Sequence, residues 1–469
     1  MIAAYTAGQI RQAEAVALQH DSDDAVMRRA AYEVAAAVLS RLDGVVGRSV
    51  VLLVGTGNNG GDALYAGAVL RRRGLAVTAA LLDPDRAHAG GSRALRRAGG
   101  RVLPAADAGA VIAGADVLVD GLLGLGGRPA LRDAVRSVLD AANAATALKV
   151  AVDLPTGLDA DTGAVAEGAF DADVTVTFGG MKAGLLAADS HTGQVVVADL
   201  GFAPADPQLF ALTDADVRAL LPDPGKADDK FSGGVPGIVA GSPQYPGAAV
   251  LCVGGAVRTR PGMVRYAGPQ AAAVVARWPE AVAAPDFSSA GRVQAWVAGP
   301  GMGTDDDAKA LLHAVLDSDV PVLVDADGLT LLAQDLPRLA ARSAPTLLTP
   351  HSREFARLFP DLDPAERLGS TRAAAARSGA TILLKGSRTV IAEPSGRVAV
   401  NTTGSSWLAT AGSGDVLSGI IGSLLAGGLS PWEAAAVGAH LHGRAGERAM
   451  ADRVPGAQAL WSRIRVPGW

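Results

Sequence analysis

The stretch "RSVVLLVGTGNNGGDALYAGAVLRRRGLAVTAALLD", residues 48–83, decides the fold class. Its first eight residues form an apolar run of the kind that is buried on both faces of a sheet. Residues 62–74 then carry a helical period that stops at Gly74, and 75–83 is a second strand run. Strand, glycine-rich turn, helix and strand make the repeating unit of a parallel sheet covered by helices. Two further runs, 115–124 and 147–157, continue the pattern. In such sheets ligands bind beyond the carboxyl ends of the strands. The polar residues expected there are Asn58, Asn59, Asp62, Asp120, Asp153 and Thr156.

The chain has 469 residues, which suggests two domains. Between residues 203 and 230 the alternation gives way to a segment rich in proline and acids, read as a connector with one short helix at 214–221. We place the boundary near residue 210, giving domains 1–210 and 211–469. Beyond it, "VPGIVAGS", "QAWVAGPGMG", "VPVLVDADGLT", "APTLLTPHS" and "ATILLKGS" each end a β run in glycine, proline or a polar cluster. The expected architecture is α/β throughout, with a Rossmann-like three-layer α/β/α domain first.

Apolar residues make up 49% of the chain, enough for full cores, and the net charge of −5 favours neither nucleic acid nor an anionic membrane as partner. The single cysteine, Cys252, suits a reducing compartment. No apolar run reaches the roughly 18 residues of a membrane helix, and the N-terminus does not read as a signal peptide. These features lead us to expect a cytoplasmic protein.

In the second half, "AGSGDVLSG" (411–419) has Gly412 and Gly414 before a helical pattern of Val416, Ile420 and Leu424. A glycine turn feeding a helix N-terminus binds anions through free N–H groups and the helix dipole. Asp415 would repel such an anion if binding were its only task. It makes sense as a general base that takes a proton from a hydroxyl attacking phosphorus. The plainer alternative is a helix cap, stabilising by roughly 1 kcal/mol. Other loops contribute Gly303 in "GPGMG", His351 in "TPHSREF", Lys385 in "LLKGSRT", and Asp325 and Asp327 in "VDADGL" as possible Mg²⁺ or water-ordering groups. Each has a bland counterpart: a polar loop histidine, a surface lysine, capping carboxylates.

In the first half, Gly55, Gly57 and Gly60 spell G-x-G-x-x-G after a strand, with Asp83 as the acid downstream, the spacing of a dinucleotide site. The doubled asparagine and the following Gly-Gly-Asp are not needed for that turn. Oxygens of Asn59, Asp120 and Thr156, from three strand ends, could instead surround a cation, or simply cap helices and shape turns.

The motifs of the second half, GPGxG, DADxL, LTPHxxEFxRL, KG and AGSGDxLxG in this order, resemble the ADP-dependent NAD(P)H-hydrate dehydratases, a branch of the ribokinase-like fold, over nearly all of residues 215–469. Thr330 departs from the family's usual Asn. The resemblance implies a ribokinase-like second domain using Mg²⁺ and ADP. Asp415 would be the catalytic base. Lys385, Gly386, Ser387, Arg388, Thr389 and Gly414 would contact the nucleotide, and Ala249, Gly303, His351 and Asp415 the hydrate.

The motifs GNNGGD, the glycine loop after Asp120 and "DLPTGLDADTG" resemble the YjeF N-terminal family of NAD(P)H-hydrate epimerases over residues 1–205. That resemblance implies K⁺ at Asn59, Asp120 and Thr156. It also implies hydrate contacts from Asn58, Asn59, Gly60, Gly61 and Asp62, from Gly124, Leu125, Gly126, Gly127, Arg128, Pro129 and Ala130, and from Asp153, the candidate acid/base group. Ala63, Thr156 and the sequence "GLGGRPA" depart from the family pattern. Together the two resemblances imply a bifunctional repair enzyme, homo-oligomeric, acting on NAD(P)H hydrates. Three rivals stay open: a ribokinase-type small-molecule kinase, a non-catalytic N-terminal binding module, and a hydride-transfer dehydrogenase.

Overall fold

The computed structural model describes residues 1–19, 21–126, 130–221, 233–259 and 261–466. The chain forms two compact units, Ala3–Pro207 and Gln208–Trp469, the latter joined by Met1–Ile2.

The first unit is built on a seven-stranded parallel sheet. Its order is Arg101–Pro104, Ala76–Leu81, Ser49–Val54, Val117–Gly121, Leu148–Val152, Val174–Phe178 and Gln194–Ala198. The continuous apolar run 49–54 is explained by burial on both sides. Val50, Leu52 and Val54 face the helices Asp23–Leu39 and Asn58–Arg72, while Val51 and Leu53 face Asp133–Ala144. The chain winds outward from Ser49–Val54 in both directions, so the sheet reverses its order between that strand and Val117–Gly121. Register puts Val54 beside Gly121 and Asp120 beside Ala151, aligning three strand ends at this switch point.

Two sequence expectations change here. The segment read as a glycine loop is helical from Asn58 onward, so only Gly55–Gly57 form the turn. The cause is the small residues that follow: an added side-chain carbon on Gly60 would lie 2.3 Å from the Gly55 carbonyl oxygen. Asp83 caps a turn, its Oδ1 accepting from the backbone of Asp85 and Arg86.

The second unit carries a parallel sheet in the order Ala281–Ala284, Val264–Ala267, Pro236–Val239, Ala295–Ala298, Val322–Val324, Thr346–Leu348 and Thr381–Leu384. The strands Thr389–Ala392 and Val398–Asn401 add antiparallel. Leu209–Ala211 pairs parallel with Val398–Asn401, so part of the expected connector is a strand. Three residues are too few for alternation to show in a sequence. Here too the sheet reverses, between Pro236–Val239 and Ala295–Ala298.

The helix Ser413–Ala426 is buried nearly all round, wider than the one apolar side of Val416, Ile420 and Leu424. Its small residues allow this. A side-chain carbon on Gly419 would sit 1.9 Å from the Cys252 carbonyl oxygen of the helix Pro246–Arg258.

Candidate functional site

Each unit gathers its polar strand ends at its own switch point. In the second unit Gly412, in the left-handed region at φ 84°, is the N-cap of Ser413–Ala426 and turns the chain into the helix. Gly414 and Asp415 lie in the first turn. Asp415 is half-buried, and its carboxyl is pushed up to about 7 by burial and by the charges of Asp325 and Asp327, against the pull of Lys385. That value suits a group that must be a base near neutrality.

Beside it Lys385 Nζ donates to Asp325 Oδ1 at 2.7 Å and stands 3.9 Å from Glu354 Oε2. Burial works against the Lys385 charge, but Asp325, Glu354 and Asp415 outweigh it and raise its pKa. Ser418 Oγ donates to Asp325 Oδ2 at 2.7 Å. Asp325 thus spends both oxygens on protein groups, and Asp327 Oδ2 accepts from Gly303 N at 3.0 Å. Asp325 and Asp327, expected as possible Mg²⁺ or water-ordering groups, therefore already accept protein hydrogen bonds. No group of three acidic, histidine or cysteine ligands is poised for a metal among the described residues. The two carboxylates shape the loops. Gly299, at φ 126°, packs against the Asp325 backbone, where a side-chain carbon would lie 1.9 Å from its carbonyl oxygen. Ala326, between the aspartates, takes a strained positive φ of 49°.

His351 is the N-cap of Ser352–Leu358, its Nδ1 accepting from Arg353 N and Glu354 N. Ala249 is fully buried, beneath Gly241. Arg367 Nη2 donates to the Leu384 carbonyl and would meet a side chain on Gly386 at 2.6 Å. Arg388 Nη1 donates to the Thr402 carbonyl, Thr389 Oγ1 to that of Gly386, and Ser387 lies between them in the turn. Sequence reasoning missed Ser418 and His442. His442 Nε2 donates to the Ser413 carbonyl at 2.9 Å, and burial lowers its pKa to about 4, so a neutral imidazole braces the turn from below.

In the first unit Asn59, Asp120 and Thr156 do come together. Asp120 is fully buried; it accepts from Leu122 N at 3.1 Å, Thr156 N at 2.7 Å and Thr156 Oγ1 at 2.8 Å. Burial pushes it up to about 6, opposed by those hydrogen bonds. No cationic side chain pairs with it among the described residues. Asn59 Nδ2 donates to the carbonyls of Leu123 and Val152, and its Oδ1 borders Gly124, where a side-chain carbon would come within 2.8 Å. A buried carboxylate without a counter-charge, a hydroxyl and an amide oxygen make a hard-oxygen set that fits K⁺.

A cavity of about 530 Å³ opens beside them, lined by Asn58, Asn59, Asp62, Asp153, Gly124, Leu125 and Gly126 and closed by the apolar Val26, Met27 and Phe202. Gly60 and Gly61 are buried in its helical wall, with Met27 and His88 packed where a Gly61 side chain would go. Ala130 is exposed. Gly127, Arg128 and Pro129 lie outside the described residues. Sequence reasoning missed Lys182, a fully buried lysine on the cavity wall whose only signal was its place in the apolar stretch "FGGMKAGLLA".

A parallel sheet whose switch point offers a glycine turn, a helix N-terminus and a half-buried aspartate defines the ribokinase-like class. A family model described as NAD(P)H-hydrate dehydratase matches residues 236–464, and one described as YjeF-related protein N-terminus matches residues 23–184. The chain is 50% identical to the bifunctional NAD(P)H-hydrate repair enzyme Nnr of Mycobacterium tuberculosis (strain H37Rv) over 92% of its own length and 91% of that protein's. It is 49% identical to the Mycobacterium leprae Nnr over 98% of each. A ribokinase-like superfamily protein from Enterococcus faecalis V583, of solved structure, is 25% identical with a TM-score of 0.50, covering 56% of this chain and 95% of that one. The chain belongs to the family of bifunctional NAD(P)H-hydrate repair enzymes.

Proposed function

We propose that the chain repairs hydrated nicotinamide nucleotides in two steps. The first unit, residues 1–210, interconverts the R and S hydrates of NAD(P)H. The second, 211–469, dehydrates the S form with ADP, giving AMP and phosphate. The observation that carries this reading is Asp415, raised to about 7 in the first turn of a helix entered through Gly412 and Gly414.

Hydroxide is a poor leaving group and phosphate a good one. Asp415 takes the hydroxyl proton as the oxygen attacks the terminal phosphorus of ADP. The N–H groups of the Gly412–Gly414 turn hold the phosphoryl oxygens in transit. The ring nitrogen then expels phosphate, leaving an iminium, and the adjacent ring carbon loses a proton to phosphate or water, which restores the double bond. Lys385, side chain 21% exposed, can turn part of its ammonium toward the nucleotide phosphates. Mg²⁺ would be held largely through those phosphates and would neutralise their charge, with Asp325 and Asp327 as its nearest carboxylates or the partners of its waters. Gly386, Ser387, Arg388 and Thr389 form the rest of the nucleotide contact, and Ala249, Gly303 and His351 the edge of the hydrate site. In the first unit Asn59, Asp120 and Thr156 would hold K⁺, whose charge would offset that of Asp120 beside the loop that carries Gly124. The working state is a homo-oligomer in the cytoplasm. Among the described residues no helix is long and apolar enough to cross a membrane.

The test uses a mixed R and S NADH-hydrate pool with Mg²⁺ and K⁺, following the near-ultraviolet absorbance of NADH. Recovery of the whole pool that requires ADP and is lost in Asp415→Ala supports both activities. Recovery that stops once the S form is consumed demotes the first unit to a binding module. A stable phosphorylated product would favour the small-molecule kinase.

A further inference from the structure

Three carboxyl groups, Glu14, Asp62 and Asp153, and two cations, Arg11 and Lys182, line the cavity of the first unit. Two of the acids are held in opposite ways. Asp153 Oδ1 accepts from Lys182 Nζ at 2.5 Å and from Thr177 Oγ1 at 3.3 Å. Its Oδ2 has no donor among the described residues. Lys182 gives its other two protons to Thr177 Oγ1 and the Phe178 carbonyl, both at 2.8 Å. All three N–H bonds of the ammonium are used, so Lys182 has nothing to offer a ligand. Asp153 itself takes a positive φ of 67°, a strained conformation for a residue with a side chain.

Asp62 is 8% exposed, faces the same cavity and has no hydrogen-bond partner for its carboxyl among the described residues. Burial, then the nearby charges of Asp153 and Glu14, push it well above the usual carboxylate range. A buried acid without a partner sits beside a second acid ion-paired to a saturated lysine. An unpartnered buried carboxyl and an ion-paired carboxylate in one cavity offer a proton donor and a proton acceptor.

We propose that Asp62 and Asp153 are the general acid and general base of the epimerisation, and that Lys182 is a positioning residue acting through Asp153. This rests on the reading of the first unit as an epimerase. Hydration of a dihydronicotinamide places the hydroxyl on the carbon beside the ring nitrogen, because the ring double bond there is an enamine. Asp62 gives its proton to that hydroxyl. The carbon–oxygen bond breaks, water leaves, and the nitrogen lone pair forms an iminium. Water then adds to the other face, forming a new carbon–oxygen bond and losing a proton to Asp153. One proton has passed from Asp62 to Asp153, and exchange with solvent water in the open cavity returns it before the next turnover. Both carboxyls line the same cavity, and they lie close enough for the charge of Asp153 to act on Asp62.

The test follows R-to-S conversion of NADH hydrate by the full chain with K⁺ and no nucleotide, so that dehydration is silent, with chromatographic separation of the epimers. Asp62→Asn and Asp153→Asn are each expected to lose roughly 100-fold or more in kcat. Lys182→Met is expected to lose kcat with KM little changed, and Lys182→Arg to recover part of it, a split that simple loss of folding would not give. ADP-dependent turnover of the S hydrate by the same preparations checks the second unit; an unchanged thermal transition of Asp62→Asn checks the first, and the Asp153 and Lys182 variants are assayed well below their lowered transitions. In heavy-oxygen water the wild-type chain should place one solvent oxygen in the product per conversion, a readout that needs no variant. If the wild-type chain does not outpace the spontaneous conversion, the epimerase reading itself falls. If it does, and Asp62→Asn keeps its rate or the original oxygen is retained, the acid–base pair is overturned.

Discussion

The two sites are built from the same three parts and differ in one. Each has a buried lysine–aspartate pair, Lys182 with Asp153 at 2.5 Å and Lys385 with Asp325 at 2.7 Å. Each sets beside it a carboxyl raised by burial and negative neighbours, Asp62 in one and Asp415 in the other. The difference is how far the lysine is enclosed. The Lys182 side chain is 1% exposed and satisfied by three protein oxygens; that of Lys385 is 21% exposed, and its second acidic neighbour is 3.9 Å away. A saturated ammonium can only set the charge and orientation of its aspartate. An open one keeps a proton for an incoming phosphate. One site therefore suits proton transfer alone, and the other suits phosphoryl transfer.

The sharpest way to break this comparison is Asp415→Asn. Dehydration should fall by roughly 100- to 10,000-fold while epimerisation without nucleotide continues, read from NADH absorbance and epimer separation on one preparation. Equal loss of both activities would mean the sites are not independent.

Next come the lysines. Either lysine changed to Met strands a buried carboxylate, at a cost of about 3–5 kcal/mol in denaturant unfolding. Only Lys385→Met should also raise the KM for ADP, by about tenfold or more. A similar ADP effect from Lys182→Met would erase the distinction.

A smaller effect separates the raised acids from ordinary ones. The folded chain holds the Asp415 proton up to about pH 7, whereas the unfolded chain releases it near 3.8. The native state therefore binds more protons across that window, and stability declines as pH rises through it. Asp415→Asn should remove that decline and melt a few °C higher than wild type at mildly alkaline pH, while wild-type kcat/KM for dehydration rises through about pH 7. K⁺ against a bulky organic cation should likewise raise the melting temperature of the first unit by a few °C, and Asp120→Asn should abolish that gain.

The smallest effect concerns His442, lowered from 6.5 to about 4 by burial. Here the unfolded chain binds the extra proton, so stability is lost as pH falls from 6.5 toward 4, by on the order of 1–3 kcal/mol. His442→Gln should flatten that limb of the pH–stability curve.

The sequence alone determined the class of each layer. Apolar runs such as 49–54 can only be buried on both faces, and glycine before a helical period at 412–416 can only be a turn into a helix, because period and backbone freedom are local properties. Asn59, Asp120 and Thr156 were legible as strand-end oxygens for the same reason. Where a helix begins was less so: Asn58 to Asp62 entered the helix because of what packs around Gly60 and Gly61. The short strand Leu209–Ala211 depends on its partner at 398–401. Charge states belonged to the tertiary structure entirely. That Asp325 is spent on Lys385 and Ser418, that Lys182 closes on Asp153, and that Asp62 and Asp415 are left without such a partner among the described residues follow from residues far apart in the chain meeting in a medium of low dielectric. There burial and a single neighbouring charge outweigh anything the local sequence specifies.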